Sequence, residues 1–322
     1  MKDNVFEKLK KGLPNLEENV LLRDHTTFKI GGPAEYFLLA ESESELLGAI
    51  RLAKELGIDT FVMGGGSNLL VSDQGIKGLV VKNQVSDPIK LIGDDIVDAS
   101  GGVVLGRVVD FSIENSLKGL EWAGGLPGSF GGAIRGNAGA FGDEIKDSII
   151  EVRALDDQYN LKTLSNKECE FGYRASIFKQ KNWVVLSGAV KLKGGDKAKI
   201  REISDAHIKY RNERHPLEYP NAGSIFKNVA FSEVEPKFQD EFRDKVKQDP
   251  FPIVPTAWFI IGAGLTGKQI GDAQISEKHS NYIVNKGNAT AKDVLDLISF
   301  VQNKVKEKYN INLEPEVQFI GN

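Results

Sequence analysis

A chain of 322 residues with 41% hydrophobic and 27% charged side chains has the make-up of an ordinary globular protein and is long enough for two or three domains. A net charge of −4 argues against a nucleic-acid surface made by bulk charge, and the single cysteine, Cys169, excludes an internal disulfide and a multi-thiolate metal site. The four histidines (His25, His207, His215 and His279) show neither H-x-x-x-H nor H-E-x-x-H spacing, so no metal is expected.

The first dozen residues, MKDNVFEKLKKG, alternate charged and apolar positions and do not read as a signal peptide. The longest apolar run, 257–265, falls far short of the roughly 20 residues of a membrane helix, so a cytoplasmic protein without membrane contact is expected.

Residues 6–20 predict a short polar helix. HTTFKIGGPAEYFLLA (25–40) predicts two extended pieces around Gly31-Gly32-Pro33. A helix follows, with Ser42 and Glu45 at capping-box spacing, an apolar face at Leu46, Leu47, Ile50 and Ala53, and Gly57 to close it. IDTFVM (58–63) predicts a buried-type strand that runs into GGGSN (64–68). A strand followed by glycines, Ser and Asn presents backbone N–H groups to an anion. It is neither a Walker loop nor a G-x-G-x-x-G, and alone it reads more often as a plain turn; a second glycine-rich stretch further on tips it toward phosphate.

Strands are expected at 78–83, 89–93 and 95–100, and a helix at 103–116. Then comes GLEWAGGLPGSFGGAIRGNAGAFGDE (119–144), with glycine at about three times its density in the whole chain. Arg135 is its only charge between Glu121 and Asp143. Charge-poor glycine backbone interspersed with Leu, Trp, Phe and Ile suits a wall close to a large ligand better than a linker. Residues 148–156 and 182–192 predict strands flanking FGYRASIF (171–178). From about 196 a long charged helix opens a new domain.

EYPNAGSIFKN (218–228) reads as a loop, and 229–254 as a surface insertion. Thr290 is expected to cap a long helix with its apolar face at Val294, Leu297, Ile298, Val301 and Val305, ahead of a terminal strand in LEPEVQFIG. GAGLTG (262–267) satisfies G-x-G-x-x-G. No second strand with an acid follows at the required distance, so it is read as the end of a helix that starts at Pro255 and closes at a left-handed Gly264. Strands and helices mix without a βαβ repeat, which makes the class α+β.

HTTFKIGGPA (25–34), MGGGSNLLV (63–71), GLPGSFGGAIRGNAGAFGDE (125–144) and NAGSIFKN (221–228) together resemble the UDP-N-acetylenolpyruvoylglucosamine reductases of peptidoglycan synthesis. SEKHSNYIVNKGNATAKDV (276–294) and LEPEV (313–317) extend the resemblance over nearly the whole chain.

It implies a vanillyl-alcohol-oxidase (PCMH)-type two-part FAD-binding domain, over 20–84 and 85–195, with a C-terminal α+β substrate domain over 196–322 that carries the insertion 229–254. It also implies non-covalent FAD, NADPH as hydride donor, and reduction of UDP-N-acetylglucosamine enolpyruvate to UDP-N-acetylmuramate by a monomer. Gly64, Gly65, Gly66, Ser67 and Asn68 would hold the FAD pyrophosphate, and Gly125, Ser129, Gly132, Asn137 and Gly139 would line the flavin.

The resemblance gives catalytic roles to Arg174, Ser224 and Glu316. Arg174 and a protonated Glu316 would stabilise an enolate, and Ser224 would supply its proton. Tyr173, Arg214, Lys227 and Asn228 would bind substrate; Lys278 is a weaker candidate. From the residues alone, Ser224 is a turn residue, Arg174 a surface charge and Glu316 a water-facing strand residue.

Two departures from the family stand out. His215 follows Arg214 where Gln is usual, and Val229 stands where Pro is usual. The short link from Tyr173-Arg174 to Trp183 resembles the branch without an extra substrate-covering loop. Two other readings remain open at this stage: a sugar or alcohol oxidase on the same FAD fold, and a nucleotide-binding protein without catalysis.

Overall fold

Local signals set the helices that frame the molecule. Ser42 Oγ accepts from Glu45 N–H at 3.2 Å while the Glu45 carboxylate accepts from Ser42 N–H at 3.3 Å, and the helix Glu43–Glu55 starts there. Leu46, Ala49, Ile50 and Ala53 form its buried face, and Gly57 follows its end at φ +67. Thr290 and Asp293 repeat the device for the helix Ala291–Tyr309, whose buried face holds the five expected residues. The computed structural model describes residues 2–321 and divides into two compact units.

The first unit comprises the described residues 2–20, 34–65 and 77–211. Its four-stranded sheet runs in the order Glu17–Leu21, Pro33–Ala40, Ile76–Asn83, Thr60–Met63, with the last two parallel. Leu38, Leu79 and Val81 pack there with Leu46 and Ile50, and with Leu9 of the helix Lys2–Gly12.

Its five-stranded antiparallel sheet has the order Leu161–Ser165, Ile149–Leu155, Val184–Lys191, Ile96–Ser100, Lys90–Ile92. The central strand Val184–Lys191 is buried over six consecutive positions, as a strand covered on both faces must be. At Gly188 an added Cβ would lie 2.6 Å from Ile134 Cδ1, so glycine there lets the short helix Phe130–Gly136 lie flat on the sheet. The helix Lys197–Arg214 belongs to this unit as far as Arg211.

The second unit comprises residues 21–33, 66–76 and 212–321. Its antiparallel sheet has the order Asn221–Ser224, Tyr282–Asn285, Ala273–Ile275, Gln269–Ile270. Val294, Leu297, Val301 and Val305 of the long helix share a core with Ala273, Ile275 and Ile283 of that sheet. Asp73 places its carboxylate on the N-terminus of the helix, accepting from Ala291 N–H at 2.8 Å and Lys292 N–H at 3.1 Å. Strand Gln318–Ile320 pairs in parallel with Leu69–Val71.

Between Val229–Ala230 and Ile253–Val254, which pair with each other, lies the helix Pro236–Phe242; Phe242 packs 4.4 Å from Phe259 and 5.4 Å from Tyr309, ring centre to ring centre. The glycine motif at 262–267 closes the helix Thr256–Gly262, with Pro255 at its N-cap and Gly264 at φ +71, as expected.

Four expected elements differ. The first helix spans Lys2–Gly12, and 17–21 is a strand. Gly12 and Pro14 stop the helix, and the strand's mostly exposed, charged pattern hid it from apolar periodicity. Of the two extended pieces in 25–40, only Pro33–Ala40 is a strand. Residues 26–32 are irregular, tied by Thr26 Oγ1 to Ile30 O at 3.1 Å and by Asn285 Nδ2 to Phe28 O at 3.2 Å. Asn221–Ser224 is a strand inside the expected loop, because its partner is remote in sequence. The terminal strand begins only at Gln318.

Candidate active site

In the first unit the two glycine-rich stretches lie against each other. An added Cβ on Gly64 would sit 2.2 Å from Ser129 Oγ, and one on Gly65 2.9 Å from Gly128 Cα. Real Cβ atoms do not approach so closely: Gly65 lets backbone meet backbone at Gly128, and Gly64 makes room for the Ser129 side chain. Ser129 is buried, and its Oγ accepts from Gly132 N–H at 3.2 Å, capping Phe130–Gly136.

Asn137 closes that helix in the left-handed region at φ +42. Its buried side chain donates to Gly172 O at 2.8 Å and accepts from Lys146 N–H at 3.2 Å. Gly125 has φ +73 and lies 3.3 Å, measured from an added Cβ, from Arg211 Cδ. Together these features bring two charge-poor, glycine-rich segments into close contact.

Arg174 lies in the same unit. Its Nη2 donates to Gly139 O at 2.7 Å, its Nη1 lies 3.6 Å from Glu144 Oε1, and its guanidinium covers the Tyr173 ring at 5.0 Å. The surface charge that local reading allowed for is instead a half-buried group at the glycine-rich hairpin.

Sequence reasoning missed three residues here. Arg211, buried on the helix Lys197–Arg214, donates to Gly124 O at 2.9 Å and Trp122 O at 3.1 Å. His207, one turn earlier, stacks on Phe141 at 4.0 Å between ring centres and meets Glu121 O at 3.0 Å through Nδ1. Glu144 is the third. The only local signal was charge at the margin of a glycine-rich window. Burial pushes the Arg135 guanidinium below its ordinary pKa, which fits the apolar setting of the window's one internal charge.

In the second unit three expected residues converge through their backbones. Asn68 Nδ2 donates to Glu316 O at 3.1 Å, and Gln318 N–H donates to Asn68 O at 3.0 Å. Glu316 N–H donates to Ile225 O at 2.7 Å, directly after Ser224. Phe226 bridges Pro315, and Lys227 N–H donates to Glu314 O at 2.9 Å. Residues 224–227 and 314–316 therefore lie side by side, with Asn68 joined to them. Gly66, at φ +65, accepts from Thr27 N–H at 3.3 Å, and Ser67 separates it from Asn68. Thr27 Oγ1 in turn donates to Asn221 O at 2.8 Å.

The expected substrate-binding residues of this unit are spread more widely. Lys227 Nζ meets Glu314 Oε1 at 2.5 Å, a pair whose acid is largely exposed, and Asn228 Oδ1 accepts from Thr256 N–H at 3.2 Å. Arg214 is exposed at the end of its helix. His215, where the family usually carries Gln, meets the Tyr282 hydroxyl through Nδ1 at 3.2 Å, with His279 edge-on to its ring at 5.6 Å. Burial first, and the Lys247 charge after it, hold His279 below the usual imidazole pKa. Among the described residues no cluster of His, Cys, Asp or Glu suits a metal ion.

Two family models match the chain. Residues 34–165 match an FAD binding domain, and residues 215–320 match the C-terminal domain of UDP-N-acetylenolpyruvoylglucosamine reductase. A protein of that name from Caldanaerobacter subterraneus subsp. tengcongensis is 39% identical over 319 residues, covering 99% of this chain and 97% of the relative. One from Clostridium tetani is 40% identical over 318 residues, covering 99% and 95%. The crystal structure of the Thermus caldophilus enzyme, 30% identical, superposes with a TM-score of 0.72 over 94% of this chain and 98% of that one.

Proposed function

The chain belongs to the UDP-N-acetylenolpyruvoylglucosamine reductase family, and on that premise we propose which of its residues carry the reaction. The protein is an FAD-dependent enzyme that uses NADPH to reduce UDP-N-acetylglucosamine enolpyruvate to UDP-N-acetylmuramate in peptidoglycan precursor synthesis. Its fold is the two-part FAD-binding type with a C-terminal substrate domain. Neither an oxidase of sugars nor a nucleotide-binding protein without catalysis accounts for the match over 215–320.

The observation that carries the residue assignment is the tight approach of Gly64 and Gly65 to Gly128 and Ser129. It brings two glycine-rich, charge-poor segments together, which fits FAD. Gly64, Gly65, Gly66, Ser67 and Asn68 would hold the pyrophosphate through backbone N–H groups and short polar side chains. Gly125, Ser129, Gly132, Asn137 and Gly139 would line the flavin, with Arg211 and His207 bracing 121–125 from behind. When bound, FAD supplies the two-electron relay between NADPH and the enolpyruvyl group.

The chain's own residues handle charge and proton. Reduction at the β-carbon leaves negative charge on the substrate's carboxylate-stabilised α-carbon. Arg174 answers that charge with a planar cation that donates to Gly139 O at 2.7 Å. Glu316 adds a hydrogen-bonding group, and its backbone is pinned to Ile225 and Asn68. Ser224 gives its hydroxyl proton to the α-carbon, a transfer that is reasonable for a serine because a carbanion-like carbon is so basic. Tyr173, Arg214, Lys227 and Asn228 bind the substrate. The Lys227–Glu314 pair, whose acid is 68% exposed, is weakened by water, so a diphosphate competes well for the ammonium.

The helix expected to open the substrate part packs with the first unit as far as Arg211, so we place the start of the substrate part at 212 and not at 196, with the FAD-binding parts before it. The protein works as a cytoplasmic monomer in this account; among the described residues no helix is long and apolar enough to cross a membrane. The test is spectroscopic. Purified protein should carry a yellow flavin that NADPH bleaches and the enolpyruvyl nucleotide restores. Colourless protein that FAD cannot reconstitute would end the assignment.

A further inference from the structure

Glu144 is a buried acid for which the roles above have no direct use. It ends the second strand of the small hairpin Gly139–Ala140 and Asp143–Glu144, and only 4% of it is exposed. It closes a capping box with Asp147 over the turn Ile145–Asp147. Two cations also approach it: Lys146 Nζ at 2.5 Å from Oε2, and Arg174 Nη1 at 3.6 Å from Oε1. Burying a carboxylate is unfavourable unless cations answer it, so the arrangement ties the acid to its two partners.

The Arg174 side depends on that acid most. Its backbone sits at φ +53, a region few non-glycine residues adopt, and its carbonyl accepts from Lys179 Nζ at 3.1 Å. Its Nη2 donates to Gly139 O, its guanidinium lies over the Tyr173 ring, and its Nη1 faces Glu144. Nη1 is also 3.5 Å from Asn137 O, a weak contact beside the charge of Glu144. Gly139 makes room for the pair: an added Cβ there would lie 2.6 Å from Glu144 Cγ and 3.2 Å from Arg174 Nη1. Acid and base are thus seated against one glycine.

We propose that Glu144 is a positioning residue for the reaction, holding the Arg174 guanidinium in the plane from which it meets the anion that develops on the substrate. The inference rests on the role given to Arg174 above. A point charge such as lysine could not be aimed in this way, because only a planar fork has an orientation to fix.

Glu144→Gln keeps the shape and removes the charge. Flavin reduction by NADPH and reoxidation by the enolpyruvyl substrate are followed separately by stopped flow, alongside FAD content and thermal unfolding. The expected result is wild-type FAD content and NADPH rate, with reoxidation slowed on the order of 10- to 100-fold. Arg174→Ala should slow reoxidation further, and Glu144→Gln with Arg174→Ala should be no slower than Arg174→Ala alone. In thermal unfolding the double variant should lose less than the sum of the two single losses.

Wild-type reoxidation in Glu144→Gln beside a slowed Arg174→Ala would overturn the positioning role and leave the reading of Arg174 standing. Wild-type reoxidation in Arg174→Ala would overturn both. Multiplying rate losses in the double variant would also overturn the inference. If Glu144→Gln loses FAD, the same rates are taken on Glu144→Asp, which retracts the charge by one methylene. Slowed reoxidation with intact reduction then supports the proposal, and wild-type rates overturn it.

Discussion

Gly65→Ala puts the glycine cradle under direct load. The new Cβ would stand 2.9 Å from Gly128 Cα and 3.3 Å from Gly128 C, both backbone atoms that cannot rotate aside. Restoring ordinary contact requires the two segments to part by about half an ångström, and overpacking of this kind costs about 1–3 kcal/mol. The loop relieves the clash by leaving its seat, and FAD must then restore that seat on binding. Its dissociation constant should rise about 5- to 150-fold, each 1.4 kcal/mol being a factor of ten.

A control lies in the same unit. Gly48, inside the helix Glu43–Glu55, has open space around an added Cβ, so Gly48→Ala should stabilise the fold by about 0.5–1 kcal/mol and leave FAD affinity unchanged. The assay is titration of apoprotein with FAD, followed by quenching of flavin or tryptophan fluorescence, with melting curves for all three proteins. Gly65→Ala binding FAD as tightly as the wild type would refute the claim that the backbone approach shapes the cofactor seat.

Two further outcomes follow from the buried titratable groups. Burial, with Glu241 after it, pushes the Tyr309 hydroxyl up to about 12. A neutral group whose native pKa is raised stabilises the fold fully below its unfolded pKa of about 10 and loses that contribution as pH climbs to the native value. Unfolding free energy of the wild type should therefore fall by about 2–3 kcal/mol more than that of Tyr309→Phe between pH 10 and pH 12; parallel curves would contradict this. Burial likewise lifts the Cys169 thiol to about 12. A disulfide reagent at pH 8 should label it only after unfolding, and rapid labelling of native protein would contradict its burial.

How much of this was legible in the sequence depended on the range of the signal. The helices at 43–55 and 291–309 were readable because their caps and apolar faces are local. The glycine motif at 262–267 was correctly rejected for the same reason, since its left-handed Gly264 closes a helix. The strand at 17–21 was hidden by its exposed, charged pattern, and the one at 221–224 by small residues that look like a turn until the strand at 282–285 supplies their partner.

Glycine density singled out 119–144, and the structure adds a reason for glycine opposite it: Gly65 meets the backbone of Gly128, some 60 residues away along the chain, and Gly64 meets the Ser129 side chain. Arg174, Ser224 and Glu316 drew their roles from family resemblance alone. Local chemistry gave them ordinary readings, because what distinguishes them, Glu144 beside Arg174 and Asn68 beside Glu316, comes from distant parts of the sequence. Glu144 and Arg211 escaped notice for the same reason.

The proton donor is the point on which the chemistry turns, and one variant isolates it. Stopped-flow traces of Ser224→Ala should show NADPH bleaching the flavin at the wild-type rate, while reoxidation by UDP-N-acetylglucosamine enolpyruvate slows by about 10²- to 10⁴-fold. Equal slowing of both phases, or none in either, would contradict the assignment of that proton to Ser224.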